Sequence, residues 1–504
     1  MPTLDTDILV IGSGFGAMAP ALRLAQAGRR VRILEKGPHV DTSTFRMTQD
    51  PAYLTRYLKG LSGPQLNVTY AEALGGGSGF YEMVSLRAPT AAFAQLAPEG
   101  YPLWPDGVDR ATMDPFYELA ETMLRVEQIG EDEVPRSGLV FARLMRNLGY
   151  SCDRARYAVH DCLGSGYCVS GCVFGRKQSL HLNYLPQAVA SGAEVTCDTE
   201  ALAIRPLSAG GDSRYEVITR HRETGARLVH RARVVVLGGG TVGTARLLLT
   251  SRRELPRLSR HLGGNIAFNG GGRVAAMLPE GFPSGDMYAG RSHPGMISYE
   301  FLDSHGLTIS AMKPLPLQVM ASARLTRAHQ PEAWWGEAHV DLMRQFRERV
   351  MVLISLGLTP PAGRIELDSA GRPRLSLAMT PPLLRHRHEA SALLTDILTR
   401  NRCEMLEARF VNHVGEPHSG THFASAHHVG AARMADAPER GVCDASGEVF
   451  GYPGLFVADG AAIPSSLAVN TSLTILANAE RIAAALVDRY GSQRLAGTQA
   501  NAAR

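Results

Sequence analysis

Thirty residues near the start, 6–35, constrain the fold most. "TDILVI" (6–11) is a short apolar run of strand character. "GSGFGAMAPALRLAQAG" (12–28) follows with helical periodicity, and "RRVRILEKG" (29–37) reads as a second strand closing on an acid. The turn between strand and helix is Gly12-x-Gly14-x-x-Ala17. Gly12 permits the tight turn, Gly14 lets backbone approach a pyrophosphate, and Ala17 is small enough for close helix–strand packing. The helix N-terminus favours negative charge, and Glu35 is placed to accept hydrogen bonds from a ribose diol. With 52 glycines in 504 residues, the bare expression arises by chance about once in such a chain. Its place between strand, helix and acid is what makes it a dinucleotide fingerprint. Pro20 departs from the pattern, because inside the helix it removes a backbone hydrogen bond and can kink it.

Gly238-x-Gly240-x-x-Gly243 repeats the expression after "VVVL", but no acid ends a clear βαβ unit downstream and "ARLLLTSRREL" runs on as a helix. It reads as a strand returning to the first nucleotide's sheet in preference to a second site for NADPH. From about 255 the character changes. "GRVAAML", "GMISYEF", "LTISAM", "RVMVLISL" and "RIELDSAGRPRLSLA" favour β structure, and "LLRHRHEASALLTDILTRNR" reads as an amphipathic helix. The expected class is therefore α/β. A Rossmann-like domain is assembled from discontinuous segments, 1–254 and 415–490, and an inserted α+β substrate domain over 255–414 holds a mostly antiparallel sheet. Residues 491–504 read as a disordered tail.

Composition excludes several functions. The net charge of +4 is scattered, so no basic stripe argues for nucleic acid. No apolar run approaches the ~18 residues of a membrane span. "MPTLDTDILVIGSG" has no leader character, which predicts a cytoplasmic protein, and the seven cysteines are expected reduced.

Further motifs follow in order: "ALGGGSGFYEMVSLRAP" (73–89), "GRKQSLHLNYLPQA" (175–188), "GGGTVGTARLLL" (238–249), "HHVGAARM" (427–434) and "GLFVADGAAIPSSLAVNTSLTILANAERIA" (454–483). With the N-terminal fingerprint, this set resembles the glucose–methanol–choline (GMC) oxidoreductases, in particular their cholesterol-oxidase-like branch. The resemblance is good over 5–250 and 420–490 and poor through 255–415. It implies bound FAD, with Gly12, Gly14 and Glu35 on the ADP moiety. It sets Gly75, Gly76, Gly77 and Ser78 beside the flavin and pyrophosphate, and Asp459 and Gly460 near the ribityl–diphosphate. The backbone at Thr471 and Ser472 would face the flavin pyrimidine edge, where helix-terminal N–H groups stabilise negative charge. Some relatives attach FAD covalently through a His near the Gly-rich loop. None lies within 71–90 here, so non-covalent FAD is expected.

The resemblance also implies a catalytic His three residues before a Gly. Counting back from Gly430 gives His427, with Asn470 as its partner and His428 in a packing role beside the pocket. The chemistry agrees. Oxidising an alcohol needs the hydroxyl proton removed while hydride leaves carbon, and imidazole suits that transfer near neutral pH. The expected function is FAD-dependent oxidation of a hydroxyl on an apolar, possibly sterol-like substrate, with oxygen or another acceptor taking the electrons. A flavin-dependent desaturase or tailoring dehydrogenase on the same fold, and a non-catalytic flavoprotein, are the rival readings.

The five histidines at 413, 418, 422, 427 and 428 do not follow a metal-ligand spacing, and neither do Cys162, Cys168 and Cys172. No metal is expected, and the three thiols read as structural. Cholesterol oxidases carry an isomerisation Glu after a P-x-P-like turn. The local match "KPLPLQVM" sets Met320 there, which predicts oxidation without coupled isomerisation. Met277, Met287, Met296, Met312 and Met320 hint at an adaptable apolar pocket.

Overall fold

The computed structural model describes residues 1–208, 213–313, 324–328, 330, 335–409 and 422–491. Strand β1 (Thr3–Ile11), helix α1 (Phe15–Gln26) and strand β2 (Val31–Leu34) form the expected βαβ unit. Ile8, Leu9, Val10, Ile33 and Leu34 are buried because helices cover both faces of a mostly parallel sheet. Helix α1 continues unbroken past Pro20, so the proline does not end it.

Strand β3 (Arg227–Leu237) lies parallel to β1 over nearly its full length, Thr3 opposite Val229 and Ile11 opposite Leu237. The second glycine turn therefore leads from a strand of the same sheet into helix α2 (Gly240–Thr250). Beyond β3, strand Tyr215–His221 and strand Thr199–Pro206 continue the sheet antiparallel. The short strand Glu194–Thr196 flanks β2, and β4 (Leu455–Val457) joins β3 in parallel. Helix α3 (Ser472–Tyr490) packs along α1, where Arg23 holds Glu480 at 2.8 Å.

The second large sheet has seven strands, and every pair in it is antiparallel. Strands Arg273–Met277, Leu307–Ala311 and Val350–Gly357 form its middle, and helix Pro381–Arg400 packs across it. One edge strand, Asp153–Arg154, comes from well before residue 255. The stretch "RIELDSAGRPRLSLA" forms a hairpin, Gly363–Leu367 and Pro373–Leu377, with Gly371 at φ +73° in its turn. It stands apart as its own two-stranded sheet.

Candidate active site

A cavity of about 1420 Å³ is lined from both halves of the molecule. Ile11 and Leu34 contribute the C-terminal ends of β1 and β2, and Met312 and Lys313 follow strand Leu307–Ala311. This is where ligands bind in open α/β sheets.

The nucleotide end is built from backbone. Gly12 sits at φ +100°, and a Cβ there would stand 2.2 Å from the Gly238 carbonyl oxygen. The two glycine turns thus pack on each other, and Ala17 closes the same contact against Gly238. Gly76 lies against Gly14, whereas a Cβ on Gly77 would meet no protein atom within 4 Å although Gly77 lines the cavity. That is space reserved for a ligand. Gly75 and Ser78 build the turn without lining the cavity: the Ser78 hydroxyl donates to Gly75 O at 2.7 Å and accepts from Leu180 N at 3.0 Å. Glu35 lines the cavity and accepts from Ser13 Oγ at 2.5 Å and Gly37 N at 2.7 Å. Burial pushes its pKa up to about 7 against those hydrogen bonds. Ser13 Oγ in turn accepts from Gly75 N at 2.9 Å, tying the two Gly-rich turns together.

Helices α1 and α3 both begin at the cavity with no side chain capping their first N–H groups. Thr471 and Ser472, at the start of α3, line it. The Asp459 carboxylate is committed to Gly240 N (2.7 Å), Thr244 Oγ1 (2.5 Å) and Ala461 N (2.8 Å), with burial raising its pKa to about 6. Its Cα would meet a Cβ on Gly16 at 2.2 Å. Uncapped helix starts, a glycine cradle and a buried acid beside it fit a flavin dinucleotide.

At the other end, Asn470 Nδ2 and His427 Nε2 are 3.0 Å apart. Two strips of chain hold them. Ser425 Oγ donates to Phe268 O and accepts from His427 N at 2.9 Å, and Ala267 bridges Val429. One residue later, Asn269 takes the backbone N–H of Leu467 at 2.7 Å and donates to Val469 O at 2.7 Å, fixing the loop before Asn470. Gly430 anchors the register at φ +92°, since a Cβ there would lie 2.2 Å from Asn265 O. Burial lowers the His427 pKa to about 4, so the ring is neutral. His428 also borders the cavity, with its carbonyl held by Thr241 Oγ1 at 3.0 Å and its buried Nδ1 unpartnered. The adjacent pair does not divide cleanly into one cavity residue and one scaffold residue.

Several of these contributors carry no motif of their own: Ser13, Asn269, Thr244 and Lys177. Lys177 is 1 % exposed and donates to Gly79 O at 2.5 Å, Tyr81 O at 3.3 Å and Cys168 O at 2.7 Å, clamping the Gly-rich loop to the Cys-bearing loop. A lysine inside "GRKQS" was the only available signal. Met277, Met287 and Met296 are core residues, and of the four described methionines Met312 lines the cavity; Met320 lies outside the described residues. Cys162, Cys168 and Cys172 are free thiols. Among the described residues no group of three or more His, Cys, Asp or Glu is placed to hold a metal; His413 and His418 fall outside them. Among the described residues no helix is long and apolar enough to cross a membrane.

Family models described as GMC oxidoreductase match residues 7–266 and 360–479. A cholesterol oxidase of Mycobacterium tuberculosis is 28% identical, covering 95% of this chain and 90% of its own. A long-chain-alcohol oxidase of Arabidopsis thaliana is 25% identical, covering 96% and 67%. A solved structure of Aspergillus oryzae formate oxidase superposes with a TM-score of 0.70 over 97% of this chain and 99% of that one; at 14% identity this is likeness of fold alone.

Proposed function

The chain belongs to the GMC oxidoreductase family and is an FAD-dependent oxidoreductase; on that premise we propose that it oxidises a hydroxyl, alcohol to ketone or aldehyde, on a largely apolar, sterol-like substrate. The observation that carries this reading is the 3.0 Å pair of His427 and Asn470 in the wall of a cavity whose other end is a dinucleotide cradle. Bound FAD supplies the hydride acceptor. We assign the ADP end to Gly12, Gly14 and Glu35, the neighbouring stretch to Gly76, Gly77 and Gly460, and the pyrimidine edge to Thr471 and Ser472.

His427 and Asn470 do the chain's share of the work. With the Asn470 amide nitrogen toward the ring, His427 Nε2 accepts from it through its one lone pair. A substrate hydroxyl entering between them exchanges one hydrogen bond for two: its O–H donates to Nε2, and its oxygen accepts from Asn470 Nδ2. The proton then moves to His427 as the carbinol C–H is released. Burial that holds His427 neutral keeps the base form available across the neutral range. Ser425, Asn269 and Gly430 fix the two groups before substrate arrives, so little ordering remains to be done.

Non-covalent binding of the FAD is part of the proposal, supported by the lack of His within 71–90. Oxygen as acceptor and the absence of coupled isomerisation belong to the same proposal; the oxidases among the relatives support the first. The test is an anaerobic flavin-bleaching screen of the purified holoprotein with sterols, terpenoid alcohols, aryl alcohols and sugars. Bleaching by an apolar alcohol, with hydrogen peroxide on admitting air, supports the reading. A flavin that no alcohol reduces sinks it.

A further inference from the structure

Alcohol oxidation at His427 leaves one carboxylate in the cavity wall without a task. Glu82 lines the same cavity as His427 and Asn470. Among the described residues nothing donates a hydrogen bond to its carboxylate and no cation pairs with it in contact. Burial pushes its pKa up, and Lys313 and Lys177 pull it back through space.

The chain around Glu82 is fixed on both sides. Phe80 stacks on Tyr57 with ring centroids 5.1 Å apart, and the Tyr81 carbonyl is held by Lys177. Met83, the next residue, sits at φ +62°. A residue with a side chain keeps that left-handed conformation only where its surroundings over-determine it. Here they do: the Met83 carbonyl takes Ala158 N at 2.9 Å and Ser85 Oγ at 2.9 Å, and Val84 bridges Tyr157. Lys313, also in the cavity wall, spends two N–H groups on Gly166 O at 3.1 Å and Tyr288 O at 3.2 Å, and its third meets no acceptor among the described residues.

We propose that the substrate brings a second hydroxyl besides the one oxidised, and that Glu82, with Lys313 in the same wall, is the specificity-determining group that reads it. The inference rests on the alcohol reading above and narrows its substrate to an apolar body bearing two oxygens. A wholly apolar ligand would strip water from the carboxylate and return nothing. An ammonium group would enter a region where two lysines already face one acid, and a carboxylate would meet Glu82 as a like charge. A hydroxyl suits Glu82 in either protonation state, donating to the carboxylate or accepting from the acid.

Anaerobic flavin reduction by the holoenzyme tests this, with alkanols against α,ω-alkanediols of the same carbon number and cyclohexanol against the cyclohexanediols. In the native enzyme at least one diol should exceed its matched mono-ol in kcat/KM by about tenfold or more, the scale on which a buried polar group selects its partner. Glu82→Ala and Glu82→Met should each collapse that ratio, chiefly through the KM of the diol, and Lys313→Met should lower it less, whereas Glu82→Gln, which keeps a donor and an acceptor in place, should retain most of it. Should the alanine variant not fold, the methionine variant keeps the length of the side chain without its polar atoms and reads the same ratio. Mono-ols that match their diols throughout, or a ratio unchanged in the alanine and methionine variants, overturn the inference while the alcohol reading stands. Flavin that another alcohol of the wider screen bleaches but no diol of either series reduces overturns the inference alone, and flavin reduced by no alcohol at all overturns both.

Discussion

On the nucleotide side of the cavity the chain meets itself backbone to backbone; on the substrate side it meets itself through side chains. Gly12 touches the Gly238 carbonyl and Gly16 touches Asp459 Cα, each with no room for a single added carbon. Across the cavity, Met277, Leu325, Leu342, Phe346 and Leu406 fill the space under an antiparallel sheet. Contacts of the first kind admit one residue type, because the volume demands glycine and, at Gly12, the left-handed φ does so as well. Contacts of the second kind admit any set of apolar side chains of about the right total volume. The two halves should therefore fail differently when altered.

The largest effect is expected at Gly12. An alanine there must hold φ +100° and displace the Gly238 carbonyl, a combination worth about 3 kcal/mol or more. Gly12→Ala should yield protein without bound flavin, or none that folds, as read by flavin absorbance per chain and thermal unfolding. A variant that keeps full FAD occupancy and an unchanged melting temperature would break the comparison at its strongest point.

Next in size is the pair at the junction of the two regions. His427→Ala should slow anaerobic flavin reduction by about 10²- to 10⁴-fold, the usual worth of a positioned acid–base group. Asn470→Ala should cost less, since the imidazole survives. His428→Ala should cost least, although His428 borders the cavity, because only its backbone carbonyl is held there. Equal losses at 427 and 428 would mean that Gly430 does not fix the register as argued.

A pH profile sharpens the same point. Burial lowers the His427 pKa to about 4, below the ~6.5 of an exposed imidazole. The base form is lost only when pH falls through about 4, so the flavin-reduction rate should stay level from neutral pH down to about 5 and drop below it. A fall centred near 6.5 would show that the ring is solvated in the working enzyme.

What the sequence made legible follows the same division. Gly12, Gly14, Ala17 and Glu35 could be placed because a backbone turn tolerates few residues and so leaves a short, fixed pattern. The second glycine turn could be assigned to the same sheet for want of an acid, and the parallel pairing of β1 with β3 is its structural counterpart. Gly430 gave His427 its number. Glu82 was hidden in plain view four residues after Ser78: a carboxylate is neutral to local propensity, and only the cavity shows what it lacks. Asn269 was equally silent, since its three side-chain hydrogen bonds reach across about 200 positions of chain. Lys177 carried no reading from its sequence position, because the three carbonyls that close around it come from segments distant in the chain or from another loop. The methionines were only a hint, because an apolar residue cannot announce whether it fills a core, as Met277, Met287 and Met296 do, or faces a cavity, as Met312 does.

The smallest effect should come from the far side of the comparison. Met277 is 1 % exposed beneath the antiparallel sheet, packed among Leu342, Phe346 and Leu406. Leucine has nearly its volume, and a volume-conserving swap in such a setting costs less than about 1.5 kcal/mol. In a chain this long that is a shift of only a few degrees in melting temperature. Met277→Leu should therefore leave FAD occupancy intact and move the unfolding temperature slightly, in contrast to the loss at Gly12. If it released flavin as Gly12→Ala is expected to, the sheet above the cavity would be coupled to the nucleotide cradle through packing. The two regions would then be one cooperative unit, and the distinction between backbone and side-chain closure would describe their residue tolerance but not their stability.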